Sequence, residues 1–289
     1  MKKYISLFAL VITVMFSAQQ TANRFFYELT FKPKKDSARL DKVMTVLDIT
    51  KDKSIYQDFT IPAQDSLLQA EMEAMQKAGV YRDISKSVKM PKFGHKITKK
   101  YPEMNVTLSE MISMKWLGYE DKTKMDWKIQ PEKTKIGEYN AQKATTEFGG
   151  RQWTAWFSPD IPLQDGPYKF HGLPGLIVKV EDTGNNYSWT LKGNKKVENY
   201  QEKSFMERNP QYGMQTSTVV VDRAKFEKAY NNFKADPLGE MRPYMTPELM
   251  NRKMPGSEKT VGELVKDQEK MLNTYFNANN NPIELAAKK

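Results

Sequence analysis

Residues 139–191 carry the pattern that most limits how this chain can fold. Segment 139–148 begins and ends with an aromatic residue, segment 152–157 carries Trp153, Ala155 and Phe157 at alternate positions, and the two segments flank Gly149-Gly150. Period-two alternation predicts half-buried strands, and two adjacent glycines favour a primed two-residue hairpin turn. A second pair of alternating segments follows, on either side of a polar turn at 182–186. The sequence therefore predicts four consecutive antiparallel strands.

Alternation elsewhere predicts further strands, and helical spacing of apolar residues predicts helices. The predicted strands are 23–32, 42–50, 54–59, an edge strand around Ile97, 105–114, 123–129, 218–221 and an edge strand at 282–285. The predicted helices are 62–79, with Asp65 or Ser66 as N-cap and Gly79 as its end, a helix that begins at the N-cap Asp222 and ends at Asp236-Pro237, and 257–276. These elements predict a mainly β domain of the α+β class, with a curved antiparallel sheet of about eight to ten strands and two or three packed helices.

The N-terminus has the organisation of a secretory signal peptide. Lys2 and Lys3 precede an apolar run at 5–16, and the small residues Ser17 and Ala18 follow. This order predicts cleavage after Ala18 and export to the periplasm or cell surface, with 1–18 as signal peptide and 19–289 as a single domain. The run is shorter than the roughly 18–20 apolar residues that span a bilayer, so we expect no transmembrane segment after cleavage.

Composition narrows the chemistry that the chain can use. The sequence has no cysteine, which excludes disulfides, thiolate catalysis and a lipidated N-terminal cysteine. Its formal net charge of +10 comes from lysines that are spread among acidic residues, a distribution that favours a solvated surface. Export argues against nucleic acid as a partner.

The sequence has two histidines, His95 and His171, and neither belongs to a recognisable catalytic motif. The sequence has neither a Gly-x-Ser-x-Gly elbow nor a His-Glu-x-x-His zinc motif. Acidic pairs such as Glu181-Asp182 are common in loops, and nothing in the sequence sets the carboxylate separation that glycoside hydrolysis requires. We therefore predict a protein that is not an enzyme and has no cofactor.

Residues 172–177, between the two hairpins, read Gly-Leu-Pro-Gly-Leu-Ile. Pro174 and Gly175 favour a type II turn at 173–176, which is a structural role that needs no ligand. The hexapeptide also resembles the name-giving motif of the GLPGLI family of exported Bacteroidetes proteins, and the resemblance extends over residues 120–191. The motif residues are Gly172, Leu173, Pro174, Gly175, Leu176 and Ile177.

The resemblance to the GLPGLI family implies a place in the cell envelope but no reaction. The family has no established activity, and its genes often lie near TonB-dependent outer-membrane receptors, which implies an outer-membrane receptor or another envelope protein as partner. We predict a non-enzymatic periplasmic binding or assembly factor that works with this machinery and binds an apolar ligand or peptide on an aromatic-lined sheet. The candidate ligand face consists of Tyr139, Trp153, Trp156, Tyr187 and Trp189.

Methionine supplies an alternative from the metal-handling class. Thioethers are soft ligands for Cu(I), and they are the only sulfur ligands of a chain that lacks cysteine. The Met72 and Met75 pair is explained by packing on a helix face. The remaining candidate metal ligands lie in a proline-interrupted loop, with a histidine as an additional ligand: Met241, Met245, Met250, Met254, and His171 or His95. The alternative function is therefore a copper or soft-metal carrier.

Overall fold

Twelve strands lie edge to edge in one open sheet in the computed structural model, which describes residues 20–84, 87–209 and 217–285. In chain order the strands are β1 Ala22–Phe31, β2 Asp41–Ile49, β3 Lys53–Asp58, β4 Lys96–Lys100, β5 Asn105–Ile112, β6 Lys115–Asp121, β7 Lys128–Ile136, β8 Tyr139–Phe148, β9 Arg151–Ser158, β10 Leu176–Asp182, β11 Tyr187–Val197 and β12 Val219–Val220. Their order across the sheet is β12-β6-β5-β4-β3-β2-β1-β11-β10-β9-β8-β7. Neighbouring strands are antiparallel, apart from the short β12, which runs parallel to β6.

The predicted fold class is confirmed, because the chain is mainly β and of mixed α+β composition. The sheet has twelve strands, more than the about eight to ten that the pattern predicted. The helices are α1 Thr60–Ala63, α2 Asp65–Ala78, α3 Phe205–Arg208, α4 Arg223–Ala235, α5 Pro247–Asn251 and α6 Val261–Ala278, with a short 3-10 turn at Arg242–Tyr244. Three of them, α2, α4 and α6, are long, in agreement with the two or three packed helices expected. The predicted signal peptide at 1–18 lies outside the described residues.

The predicted pair of hairpins is confirmed in the second half of the sheet. Gly149 and Gly150 both have positive φ, 59° and 72°, and Phe148 pairs directly with Arg151. Two successive residues with positive φ form the primed turn whose twist matches that of the flanking strands. Strand β9 continues the sheet to β10, and β10 pairs with β11.

One observed strand was not predicted and two predicted strands differ from those observed, and each difference has a tertiary cause. Strand β6 was not predicted because Gly118 interrupts its pattern; a Cβ there would lie 2.7 Å from the Leu108 carbonyl oxygen of β5. The strand predicted at 123–129 instead begins at Lys128 as β7, an edge strand that is almost wholly exposed and so has no apolar alternation. The predicted edge strand around Ile97 is β4, which lies inside the sheet between β3 and β5.

The predicted edge strand at 282–285 is not formed. This C-terminal segment crosses the end of the β8–β9 hairpin, where the Leu285 amide donates a hydrogen bond to the Gly149 carbonyl. Arg151 holds the segment from the sheet side, donating to the carbonyl oxygens of Ile283 and Pro282 at 2.9 and 2.8 Å. These isolated hydrogen bonds hold the segment in place but do not form the regular pairing of a β-strand. We call residues 282–285 the strap.

The helix ends follow the predicted signals in part. Asp222 caps α4 by accepting a hydrogen bond from the Lys225 amide at 2.9 Å, and Gly79 ends α2 with a φ of 63°. The predicted cap of α2 is wrong, since the N-cap residue is Gln64 and no side chain caps it. Asp65 instead accepts a hydrogen bond from the amide of Phe205, at the start of α3.

The core is an aromatic layer that the 165–173 loop covers. Phe170 lies edge-on to Trp153 with ring centroids 4.8 Å apart, and Tyr168 stacks on Trp189 at 6.2 Å. Lys99 is fully buried beneath this loop, where its ammonium group bonds to the Asp165 carboxylate at 2.5 Å and to three loop carbonyls. A buried cation with four acceptors holds the loop in place, because breaking any of these bonds leaves an unpaired polar group.

The 172–177 motif continues directly from this loop into β10. Leu173, Leu176 and Ile177 are buried, as expected for a structural motif. Its turn differs from the predicted type II turn, because the Gly175 amide donates to the Leu173 carbonyl two residues earlier, the spacing of a γ-turn. The Leu176 amide donates its hydrogen bond to the Ile161 carbonyl, which lies outside the turn.

No helix within the described ranges is long and apolar enough to cross a membrane.

Candidate functional site

The predicted ligand face is mostly part of the core. Trp153, Tyr187 and Trp189 are at most 1% exposed; rings of the 165–173 loop pack on the two tryptophans, and Arg151 lies over Tyr187. Tyr139 and Trp156 are half-buried and pack against the same core cluster. The five side chains therefore do not form one open aromatic surface, although Tyr187 also lines a cavity.

A cavity of about 580 Å³ opens between the sheet and helices α4 and α6. We call it the α4–α6 cavity. Strands β5 and β6 form its floor, and the strap and the residues before β4 close its sides. Its aromatic and aliphatic lining residues are Phe93, Leu108, Tyr119, Tyr168, Tyr187, Phe226, Tyr230, Tyr275, Phe276 and Ile283; its polar lining residues include Lys92, His95, Glu110, Arg223, Lys234, Asn277, Asn279, Asn280 and Glu284.

Glu110 is the group that distinguishes this cavity chemically. It stands on β5 in the same row as Val106, Leu108 and Ile112, all of which are buried. In the described part of the chain its carboxyl group has no hydrogen bond and no cation within 4.0 Å. Burial raises the pKa of Glu110 to about 8, and the charge of Lys234 opposes that rise only in part. The side chain is therefore mainly a neutral carboxylic acid at neutral pH.

The carboxyl group of Glu110 lies beside Gly94 and Tyr275. A Cβ on Gly94 would stand 2.9 Å from Glu110 Oε1 and 3.7 Å from the Tyr275 hydroxyl oxygen, so both polar atoms line one small space. The Tyr275 hydroxyl also donates to the Lys92 carbonyl at 3.4 Å. Helix α6 and the segment before β4 thus place the Tyr275 hydroxyl group next to the Glu110 carboxyl group.

His95 is part of the cavity wall and is held by rings. Its imidazole lies 5.4 Å from the Tyr168 ring, 5.6 Å from the Phe93 ring and 6.5 Å from the Tyr56 ring, measured between centroids. Burial, together with the nearby Lys169 charge, lowers the pKa of His95 to about 4. The ring is therefore neutral throughout the physiological range.

A buried ionic cluster forms the adjoining wall and joins the strap to the sheet. Lys169 donates to Glu284 at 2.5 Å, to Asp121 at 2.6 Å and to the Tyr119 hydroxyl at 2.8 Å. Arg223 on α4 approaches the second oxygen of Glu284 at 3.0 Å. Although burial opposes ionisation, these cations hold the pKa of Glu284 below its ordinary value. The positive and negative charges of the cluster therefore compensate one another.

The candidate metal ligands lie in different surroundings. The His171 ring nitrogen Nδ1 lies 2.8 Å from the Lys169 carbonyl, and the Trp127 indole donates to the His171 carbonyl. Of the four methionines, Met241 is exposed, whereas Met245, Met250 and Met254 are half-buried around the 3-10 turn and α5. In the described ranges, no group of three or more His, Asp or Glu side chains is placed to hold a metal ion. The soft-metal alternative stays a prediction.

Sequence reasoning did not identify Glu110 or Lys234 as site residues. The signal for Glu110 is present, because a single acid interrupts the apolar row of β5 at alternate positions. Nothing local marks Lys234 or Tyr275, which reach the cavity only through the packing of α4 and α6.

Replacing Glu110 with Gln is expected to stabilise the fold at about pH 8.5 by about 2–4 kcal/mol and to change it little near pH 5. The folded-state pKa of about 8 lies above the ordinary value of 4.5, so the folded protein binds the extra proton between these values. The free energy of unfolding of the unmodified chain therefore falls as the pH rises through that window. In Glu110→Gln the side chain is a neutral amide at every pH, so this decrease is absent. Urea unfolding at both pH values measures the difference. Glu120→Gln, at an exposed position of β6, is the matched control, and an equal gain from it would contradict the assignment.

Two solved structures and one family model are similar to parts of this chain. Two structures titled as PNGF-II, in space groups P21 and C2, are 16% identical; they align over 73% of this chain and 33% and 32% of theirs, with TM-scores of 0.45 and 0.47. The chain thus spans about a third of the length of those structures. No curated protein matches it. Residues 149–179, from the hairpin glycine through the 172–177 motif into β10, match the model of a family described as "Protein of unknown function (Porph_ging)".

Proposed function

We propose that this chain is an exported, non-enzymatic binding protein of the cell envelope that holds a small, mainly apolar ligand in the α4–α6 cavity. The observation that carries the proposal is the cavity itself. Its volume of about 580 Å³ is in the range of small-molecule sites, and its walls combine aromatic side chains with a similar number of polar and charged ones.

The position of the cavity differs from the one that the sequence suggested, but the kind of ligand does not. Most aromatic rings of residues 139–191 build the core, and Tyr168 and Tyr187 also reach the cavity, whose other walls include the rings of α4 and α6. Phe226 and Tyr230 stack at 6.1 Å, and Phe276 stands edge-on to Tyr230 at 6.4 Å. Such surfaces bind apolar or aromatic groups through contact area.

A binding role without catalysis is supported by the state of the titratable groups. His95 is packed between rings and neutral, and Glu110 has no hydrogen-bonded partner in the described chain that would act with it. Nucleophilic and acid–base sites generally join such groups by hydrogen bonds. The arrangement therefore favours holding a ligand over transforming it.

The proposed cellular location is based on features of the sequence. The lysine-led apolar start resembles a signal peptide, and the 172–177 hexapeptide resembles the GLPGLI family. The match to a family model over 149–179 includes that hexapeptide. We propose that the protein acts in the periplasm or at the cell surface as an accessory to outer-membrane receptors of the TonB-dependent type.

Filling the cavity tests the binding proposal. Gly94→Leu inserts a side chain beside Glu110 Oε1 and is expected to weaken binding of N-phenylnaphthylamine, a neutral apolar fluorophore, by about tenfold or more. Fluorescence titration of the purified protein measures this affinity.

The matched control for that experiment is Gly193→Leu. Gly193 lies on β11 with nothing within 4 Å of its Cβ position, so the same side chain enters open space there. Circular dichroism checks that both variants fold. Equal affinities of the folded Gly94→Leu and Gly193→Leu proteins, or no fluorophore binding by the unmodified chain, would overturn the proposed function.

A further inference from the structure

The charges that face the α4–α6 cavity are unevenly compensated. Arg223 and Glu284 are paired with each other, and Glu284 is also paired with Lys169. Lys234 has no carboxylate within 4.0 Å in the described chain; its ammonium group lies 5.7 Å from the centroid of the Tyr230 ring. Lys92 is exposed, and among the described residues its ion pair is with Asp41, at 3.8 Å. Lys234 is thus the uncompensated cation of the cavity lining in the described chain, and Lys92 has only a long, exposed ion pair that a ligand can replace.

The available cations and the acid of β5 lie at the same end. Lys234 is the charge that acts on Glu110, and the Tyr275 hydroxyl connects the Gly94 region to the backbone of Lys92. Because Glu110 is mainly protonated at neutral pH, it donates a hydrogen bond instead of repelling an anion. The rings of Phe226, Tyr230 and Phe276 line the cavity beside these polar groups, and the Tyr230 ring lies next to the Lys234 ammonium group.

On the basis of the proposed function, we propose that the ligand is an anionic amphiphile whose acid headgroup binds Lys234, Lys92 and the Glu110 carboxyl group while its apolar body packs against the rings of α4 and α6. An anion gains two cations and a donor at the headgroup end. An organic cation gains nothing comparable, since Glu284 is already neutralised and Glu110 carries little charge. A neutral ligand leaves the lysines unused.

The pH dependence of binding follows from the groups around Glu110. These are Lys234, Tyr230 and Arg223 on α4, Tyr275 on α6, Lys92 and His95 before β4, Tyr119 on β6, and Tyr168 and Glu284 across the cavity. The pKa of His95 is about 4, and burial raises the pKa of each of these tyrosines above its ordinary value. Between about pH 6.5 and pH 9, Glu110 is therefore the group that changes charge. Its ionisation places a carboxylate beside the bound headgroup, so anion binding weakens as the pH rises through about 8.

Three ligands of equal chain length test the inference: decanoate, decanol and decylammonium, each titrated below its micelle concentration by displacement of N-phenylnaphthylamine. At about pH 6.5, decanoate is expected to bind about tenfold more tightly than the other two, and to lose most of that advantage at about pH 9. Lys234→Gln is expected to remove the preference for decanoate while leaving decanol affinity unchanged. Glu110→Gln is expected to keep decanoate binding at the lower pH and to abolish its decline at the higher pH.

Lys228→Gln is the matched control, because Lys228 is an exposed lysine on the same helix that does not line the cavity. Unchanged ligand preference in this variant, with lost preference in Lys234→Gln, supports the headgroup site. If decanol or decylammonium binds as tightly as decanoate, the ligand class is wrong while binding in the cavity stands. If none of the three displaces the fluorophore and Gly94→Leu leaves its affinity unchanged, the proposed function itself fails.

Discussion

Gly175→Val is expected to abolish the stable fold, with a loss of more than about 4 kcal/mol in the free energy of unfolding. Gly175 has a φ of 152°, and a Cβ there would lie 2.2 Å from the Ser158 carbonyl oxygen and 2.6 Å from its carbonyl carbon. These are backbone atoms of β9, which cannot rotate away as a side chain would. The measurements are soluble yield, circular dichroism and thermal unfolding.

The neighbouring motif glycine supplies the control for this substitution. Gly172 also has a positive φ, 89°, but nothing lies within 4 Å of its Cβ position. Gly172→Ala should therefore cost only the strain of the backbone conformation, about 1 kcal/mol, whereas Gly175→Ala also clashes with β9. Normal thermal stability of Gly175→Val together with a selective loss of ligand binding would show that the motif is functional and not structural.

Lys169→Met is expected to lower the free energy of unfolding by about 3 kcal/mol or more near pH 7. The substitution keeps the volume of the side chain but leaves Asp121 and Glu284 buried without their shared cation. Arg223 approaches both carboxylates, at 3.8 and 3.0 Å, but its own side chain is 43% exposed and compensates only in part. The strap that carries Glu284 should loosen first, which limited proteolysis near the C-terminus would detect.

The pH dependence of Lys169→Met distinguishes lost charge compensation from lost packing. Without Lys169, the pKa values of Asp121 and Glu284 in the folded state rise above their unfolded values, so the variant loses stability as the pH rises through that interval. The deficit relative to the unmodified chain should therefore be smaller near pH 5 than near pH 8. Lys179→Met removes a partly exposed pair with Glu181 and should cost about 1 kcal/mol or less. A deficit that is equal at both pH values would mean that the buried charges are not its cause.

Local chemistry accounts for the parts of the fold that were predicted correctly. The β8–β9 hairpin requires only a two-glycine turn between alternating segments, and the end of α2 requires only a glycine that adopts positive φ. Both signals lie within a few residues. In contrast, β6 and the edge strand β7 carry no clear alternation, because Gly118 marks a close approach to β5 and both faces of β7 are exposed. Their pairing partners, and not their own residues, make them strands.

The candidate site shows the same division. Glu110 was recognisable as an acid in an apolar row, but its pKa depends on being enclosed by helices whose sequence lies more than a hundred residues away. The aromatic residues of 139–191 were correctly predicted to lie on strands, but Trp153, Tyr187 and Trp189 are fully buried and not on an open face. Their cover, Tyr168 and Phe170, comes from a loop held by Lys99, an ionic contact that no periodicity reveals.

The amino-acid order by itself determined the mainly β class, the central hairpins, the ends of two helices and the exclusion of cysteine chemistry, because each depends on backbone preferences or residue types that act over short distances. The tertiary structure alone decided which aromatic rings are core and which line a cavity, how the C-terminal strap is fastened, and which charges remain uncompensated. These properties depend on burial and on charges brought together from distant segments, and electrostatic strength rises as water is excluded.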